Sequence, residues 1–154
     1  MWMRKGFAVA LLLCALCALA GCSKEEVVTQ FDQTLQAAGD HVLTGDADLQ
    51  GTRTFGEDRY VGTYTAQYDG FTGREVLFGG TALERAAGDQ VTVSCHLAPG
   101  AGTVQVLFQT GDEPLEVLCD TAGSHTATLP LPSGGNYLLV EAEGFTGSLR
   151  VTVE

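Results

Sequence analysis

The sequence predicts an all-β fold, an antiparallel β-sandwich, and three observations carry that expectation. After Gly39 apolar and polar residues alternate with a period of two, the mark of strands that bury one face. The alternating runs are short, and Gly, Pro, Asp and Ser punctuate them every 8 to 14 residues or so, roughly the spacing of an antiparallel sandwich. Nothing beyond Gly39 has the length and period of a crossover helix, which a parallel sheet would need. At 154 residues the chain has room for one such domain once its ends are set aside.

The first element precedes the sandwich. MWMRKGFAVALLLCALCALAGC places Arg4 and Lys5 ahead of an apolar run from Phe7 to about Leu19, followed by small residues, which is the order of a targeting signal and too short to span a bilayer well. Leu19, Ala20, Gly21 and Cys22 resemble the bacterial lipobox at all four positions. The resemblance implies removal of residues 1–21 and acylation of Cys22. Two acyl chains on that sulfur would hold the protein to the outer face of the cytoplasmic membrane, since each buried methylene contributes about 0.8 kcal/mol. An uncleaved anchor or an ordinary signal peptide is the alternative.

Residues 22–40 form the next segment. Val27, Val28, Phe31, Leu35 and Ala38 recur at steps of three and four, Ser23 and Glu26 are spaced as a capping box, and Gly39 supplies a stop. The spacing predicts one short amphipathic helix, whose single apolar stripe favours packing over a free spacer.

The sandwich domain then runs over 41–154. Alternation predicts strands near Asp48–Phe55, Arg59–Tyr68, Arg74–Gly79, Gln90–Leu97, Thr103–Gln109, Leu115–Cys119, His125–Leu131, Tyr137–Ala142 and Ser148–Val153. GFTG occurs twice, at Gly70–Gly73 and Gly144–Gly147, each time after an acid (Asp69, Glu143) and between two of these runs. Glycine beside Thr and an acid is ordinary turn chemistry, so both copies are expected to be hairpin turns, with Phe71 and Phe145 folding back onto core edges. A duplicated ligand loop is the competing reading. LPSGG at Leu131–Gly135 superficially resembles a cell-wall sorting signal, but no apolar tail follows it, and it reads as a turn.

Charge narrows the partners. Loss of residues 1–21 removes two basic side chains and no acid, moving the formal net charge from −11 to −13. The remaining Lys and Arg are scattered, which excludes nucleic acid as a partner, because phosphate neutralisation needs clustered cations. The same acidity argues against electrostatic attachment to anionic lipid and leaves the lipid anchor as the expected link to the membrane.

Two cysteines fall inside the domain, Cys95 and Cys119. Cys95 shares its face with Val91, Val93 and Leu97, and Cys119 with Leu115 and Val117, so both thiols are expected in the core. If their strands are neighbours they can form a disulfide stabilising the fold by about 3 kcal/mol; otherwise they are separate buried thiols. No CxxC or histidine cluster accompanies them, and no metal or cofactor is expected.

The segment from Ala87 to the C-terminus, with Gly88-Asp89 before an alternating strand, Leu131-Pro132 and Gly134-Gly135 ahead of Tyr137, and a last alternating strand, resembles the bacterial pre-peptidase C-terminal-like domain. That resemblance covers less than half of the chain and implies a jelly-roll-type sandwich. The acidic and apolar alternation of that family's middle strand is replaced here by VQVLF (Val104–Phe108), which argues against carrying over its calcium site. DRYVGTYTAQYDGFTGREVLFGGT resembles patterns in uncharacterised lipoproteins of anaerobic Gram-positive bacteria and implies shared architecture only.

Candidate chemistry is sparse. No GxSxG is present, and His41, His96 and His125 lack a recognisable Ser or Cys setting in sequence. Glu57-Asp58, Asp112-Glu113 and Glu141 with Glu143 are carboxylate pairs of the kind glycosidases use, but in a turn-rich acidic chain they are expected as solvated surface. Asp46 and Asp48 offer alternate oxygens to calcium without the rest of an EF-hand loop. Tyr60, Tyr64 and Tyr68 are spaced to share one strand face, with Gly62 and Ala66 between them. Such a face is either a platform for stacking sugars or, since the residues between are more polar, the inner face of the sandwich; alternation favours the second. The expected function is a lipid-anchored, non-catalytic binding or interaction module outside the membrane. A carbohydrate-binding module, a structural part of an envelope complex and a hydrolase are the alternatives.

Overall fold

A computed structural model describes residues 43–154; Cys22, the helix expected over 23–39 and His41 lie outside them. The described chain forms six strands: β1 Gly51–Phe55, β2 Gly62–Ala82, β3 Gln90–Thr110, β4 Glu116–Cys119, β5 Gly123–Pro130 and β6 Gly134–Val153. All pairings are antiparallel, in the order β1-β2-β6-β3-β4, with β5 also on β3. The fold is an antiparallel β-sandwich, as the alternation predicts.

Three of the strands are about 20 residues long, roughly four times the usual length, because each absorbs two of the predicted ones. Their first and second halves lie in different layers. One layer pairs β1, the start of β2, the end of β6, the start of β3, and β5; the other pairs the remaining halves of β2, β6 and β3 with β4. Side chains from both layers form a single buried cluster, including Tyr64, Val93, Leu149 and Val151 from the first and Leu77, Val106, Phe108 and Val140 from the second.

The hairpin expectation for GFTG is corrected here. Both copies lie inside continuous strands, where β2 and β6 bend from one layer to the other, and they are paired with each other: Phe71 stands opposite Phe145. Gly70 N–H donates to Thr146 Oγ1 at 2.9 Å, and Gly144 N–H donates to Thr72 Oγ1 at 2.8 Å, so each copy caps the other. Gly70 and Gly144 take φ of 64° and 56°, the left-handed conformation that lets an extended chain bulge and turn. Register shifts flank Phe71, and β3 bends beside them with shifts around Ala101. The turn chemistry is real, but it bends a strand where the sequence pattern reads an end. Leu131, Pro132 and Ser133 of LPSGG do join β5 to β6 as a loop, and its two glycines open β6.

The bulges also move the inward phase along β2. Tyr64 and Tyr68 face inward before the corner; after it Glu75, Leu77 and Phe78 are buried, with another shift between Val76 and Phe78. In the middle of the second layer Val106, Leu107 and Phe108 are all buried, as are Leu138, Leu139 and Val140. These runs are therefore covered on both faces, a burial that selects continuous apolar sequence over alternation.

Candidate functional site

The interior holds a polar cluster. Glu75 is 1% exposed, and its Oε2 accepts the hydroxyls of Tyr64 at 2.9 Å and Tyr68 at 2.7 Å, while its Oε1 accepts Gln50 N–H at 2.5 Å. The two hydroxyls are 3.0 Å apart. Burial is the main cause that pushes both phenols well above the ordinary tyrosine range; the Glu75 charge adds to it at each, and at Tyr64 the hydrogen bond with Tyr68 works the other way. Three donors on one carboxylate satisfy the buried charge without a cation, and they bind the two layers and the segment before β1 together.

Tyr60, Tyr64 and Tyr68 are 6%, 0% and 1% exposed, so the sugar-stacking platform is corrected to core. Tyr60 also precedes β2 and carries Arg85 over its ring at 5.7 Å. Tyr68 stacks between Phe71 and Phe145, with ring centroids 5.3 and 5.4 Å away, which places both phenylalanines of the repeated motif against the core.

Several of the remaining sequence candidates find structural partners. Asp46 pairs with Arg53 at 2.6 Å, and Asp48 is exposed in the turn that follows; among the described residues no group of three or more His, Cys, Asp or Glu is arranged to hold a metal. Glu57 and Asp58 both reach Arg85, at 3.5 and 2.6 Å. Asp112 and Glu113 lie in the turn between β3 and β4. His96 Nδ1 does meet Ser124 Oγ at 3.0 Å, a contact across β3 and β5 on an exposed face. Its neighbour on the other side is Arg150 of β6, where a catalytic triad would require a carboxylate. His125 Nε2 lies 2.9 Å from the Thr121 carbonyl. Cys95 and Cys119 are free thiols, both buried, on facing layers, and the Cys119 thiol donates to the Thr121 carbonyl at 3.8 Å. Burial pushes Cys95 up to about 12, with the neighbouring Cys119 adding to it.

Sequence reasoning missed Arg53. Its side chain, 5% exposed, donates to the carbonyls of Thr44 at 2.8 Å, Leu77 at 2.9 Å and Val76 at 3.3 Å, closing β1 of one layer onto β2 of the other. A single arginine in an alternating strand gives no signal of this, because the carbonyls it meets are brought by the corner in β2.

An open groove of about 760 Å³ lies on the outside of the second layer. Its floor is a row of side chains across three strands, Arg74 of β2, Glu141 of β6 and Gln105 of β3, which stand opposite one another in register. Arg74 Nη2 and Glu141 Oε2 are 2.8 Å apart, and both side chains are about half exposed, at 49% and 48%. Thr72, Thr103, Glu143 and Asp120 complete the polar lining around Val104 and Ala142. The groove therefore offers hydroxyl, amide and guanidinium donors beside three carboxylate acceptors, and no aromatic side chain. Of the sequence candidates Glu141 and Glu143 lie in it, with Thr72 and Gly73 of the first GFTG copy; Arg74 and Gln105 were not singled out, since their convergence depends on the β2-β6-β3 order.

No protein-family model matches the chain, and no curated protein does. Among solved structures it is similar to an exo-β-1,3-galactanase from Phanerochaete chrysosporium, at 17% identity over 70% of this chain and 30% of that one, with a TM-score of 0.38. This chain thus spans less than a third of the galactanase. It is also similar to a protein of Bacillus endospore appendages, described as disulfide-linked pili, at 15% identity over 68% of this chain and 90% of that one, with a TM-score of 0.36. A CBM4 structure is similar at 15% identity over 61% of this chain and 79% of that one, with a TM-score of 0.28. At such low similarity, what the groove holds follows from its own side chains.

Proposed function

We propose that this protein is a lipid-anchored binding module held outside the cytoplasmic membrane, and that the groove around Arg74, Glu141 and Gln105 is its binding face. The observation that carries the binding role is that this row lies open to solvent, while the interior titratable groups Glu75, Tyr64, Tyr68, Cys95 and Cys119 are closed off from it. The anchor rests on Leu19, Ala20, Gly21 and Cys22 behind an apolar run.

Within that reading the ligand is a neutral, hydroxyl-rich chain such as a glycan. Carboxylates accept ligand hydroxyls strongly, and Arg74, Gln105, Thr72 and Thr103 can donate to ring and glycosidic oxygens. Three acids against one arginine in the groove, on a strongly acidic protein, repel phosphate and other anions. Without an aromatic platform the affinity should be modest, because stacking supplies much of the energy of tight sugar sites.

Two measurements test the two halves. Cells fed a fatty-acid analogue should label the wild type and leave Cys22→Ala unlabelled; equal label in both removes the anchor. Native gels containing neutral polysaccharides should retard the wild type in at least one of them, and the Arg74→Ala/Glu141→Ala pair should run freely. Retardation that is equal in both proteins would place the binding face elsewhere.

A further inference from the structure

We propose that Cys95 and Cys119 close as a disulfide between the two layers and so fix the wall of the groove that β4 and Asp120 form. Cys95 lies on the inward face of β3 in the first layer with Val93 and Leu97, and Cys119 ends β4 in the second. They are 4% and 2% exposed and belong to one buried cluster. Cys119 Sγ lies 3.8 Å from the Thr121 carbonyl, which is 2.9 Å from Nε2 of His125, the residue that pairs with Cys95.

The strand that the bond would hold is the weakest in the sheet. β4 has four residues, pairs with β3 alone, and slips register between Val106 and Leu107. Val117 in its middle is 47% exposed, so little burial retains it. Asp120, the next residue after Cys119, lines the groove. A covalent link from Cys119 to β3 of the opposite layer would position that carboxylate far better than three backbone pairings do.

The step needs an oxidant, which is the disulfide of an extracytoplasmic thiol–disulfide oxidoreductase or of a small disulfide. One cysteine thiolate attacks an oxidant sulfur to give a mixed disulfide and releases the other oxidant sulfur as a thiol. The second cysteine then displaces the remaining oxidant sulfur. Two electrons and two protons leave the cysteine pair, and the oxidant becomes the oxidoreductase's dithiol or two small thiols. In the finished core burial suppresses both thiolates, so the bond should form while β4 is still undocked and only slowly once the sandwich has closed.

The groove part of this inference rests on the proposed binding role, but its test requires no ligand. The full-length chain, exported to an oxidising compartment, should be purified, denatured in an alkylating reagent without reductant and mapped by peptide mass. We expect one linked peptide carrying Cys95 and Cys119, lighter than the two separate peptides by two hydrogen atoms. Two alkylated cysteines would overturn the proposal. Hydrogen exchange of the same protein before and after phosphine reduction, and of the Cys95→Ala/Cys119→Ala variant, should show amides 116–120 opening about tenfold faster without the bond, with β6 amides changed little. A bond whose loss leaves 116–120 unchanged would overturn the wall-fixing role.

Discussion

Tyr68 and Glu75 lie on one continuous strand, seven residues apart, yet the Tyr68 hydroxyl donates to the Glu75 carboxylate at 2.7 Å inside the sandwich. Seven residues of straight strand would separate them by about 23 Å, far more than the two side chains can span. The contact exists because GFTG, between them, folds β2 from one layer into the other. It makes the corner and the buried cluster one structure, so that disturbing either should disturb both.

The cluster should be costly to leave half made. Tyr68→Phe removes one donor from a carboxylate that keeps two and should lower stability by about 1 kcal/mol. Glu75→Ala strands two phenol hydroxyls and the Gln50 amide and should cost roughly 3 kcal/mol or more. Urea unfolding midpoints check both values; a Glu75→Ala protein as stable as Tyr68→Phe would mean that the cluster is not closed to water.

High pH should unfold the protein through the same phenols. Their folded pKa values are raised, so near pH 10 and above the unfolded chain releases protons that the folded chain retains. The contribution is complete below about pH 10 and is lost as pH rises toward the folded values. Phenolate absorbance from Tyr64 and Tyr68 should thus appear together with unfolding, and the Tyr64→Phe/Tyr68→Phe pair should flatten the alkaline decline in stability. An early titration of either phenol in the folded protein contradicts its burial.

The two corner glycines that follow the threonines are not equivalent. A Cβ on Gly147 would lie 2.5 Å from the Ala98 carbonyl oxygen and 3.0 Å from Pro99 Cα, both backbone, at φ 154°. At Gly73, with φ 157°, it would meet only the Phe71 ring, at 3.0 Å. Gly147→Val should cost roughly 3 kcal/mol or more and Gly73→Val roughly 1 kcal/mol, since a ring edge can move and paired backbone cannot. Thermal melting of the two variants measures the order; equal melting would mean that the β6–β3 pairing yields at the corner.

Arg74→Ala and Glu141→Ala should each change stability by less than about 1 kcal/mol, because a half-exposed ion pair contributes little. The same substitutions should abolish retardation in polysaccharide gels. Loss of binding with an unchanged melting curve is the expected pattern, and a large fall in melting temperature would make the row structural.

Local pattern determined much of this protein. Alternation over Gln90–Leu97 put Val91, Val93, Cys95 and Leu97 inside, and the lack of crossover helices made the sheet antiparallel. These properties reside in neighbouring residues and survive any choice of pairing. Only the tertiary structure decided that GFTG bends a strand, because the same glycines serve a hairpin and a corner, and the choice depends on whether β2 pairs with itself or with β6. The bulges at that corner moved Glu75 inward, a change of phase that no single-strand pattern carries. Arg74, Glu141 and Gln105 belong to three strands distant in sequence, and they share a groove only because β6 lies between β2 and β3.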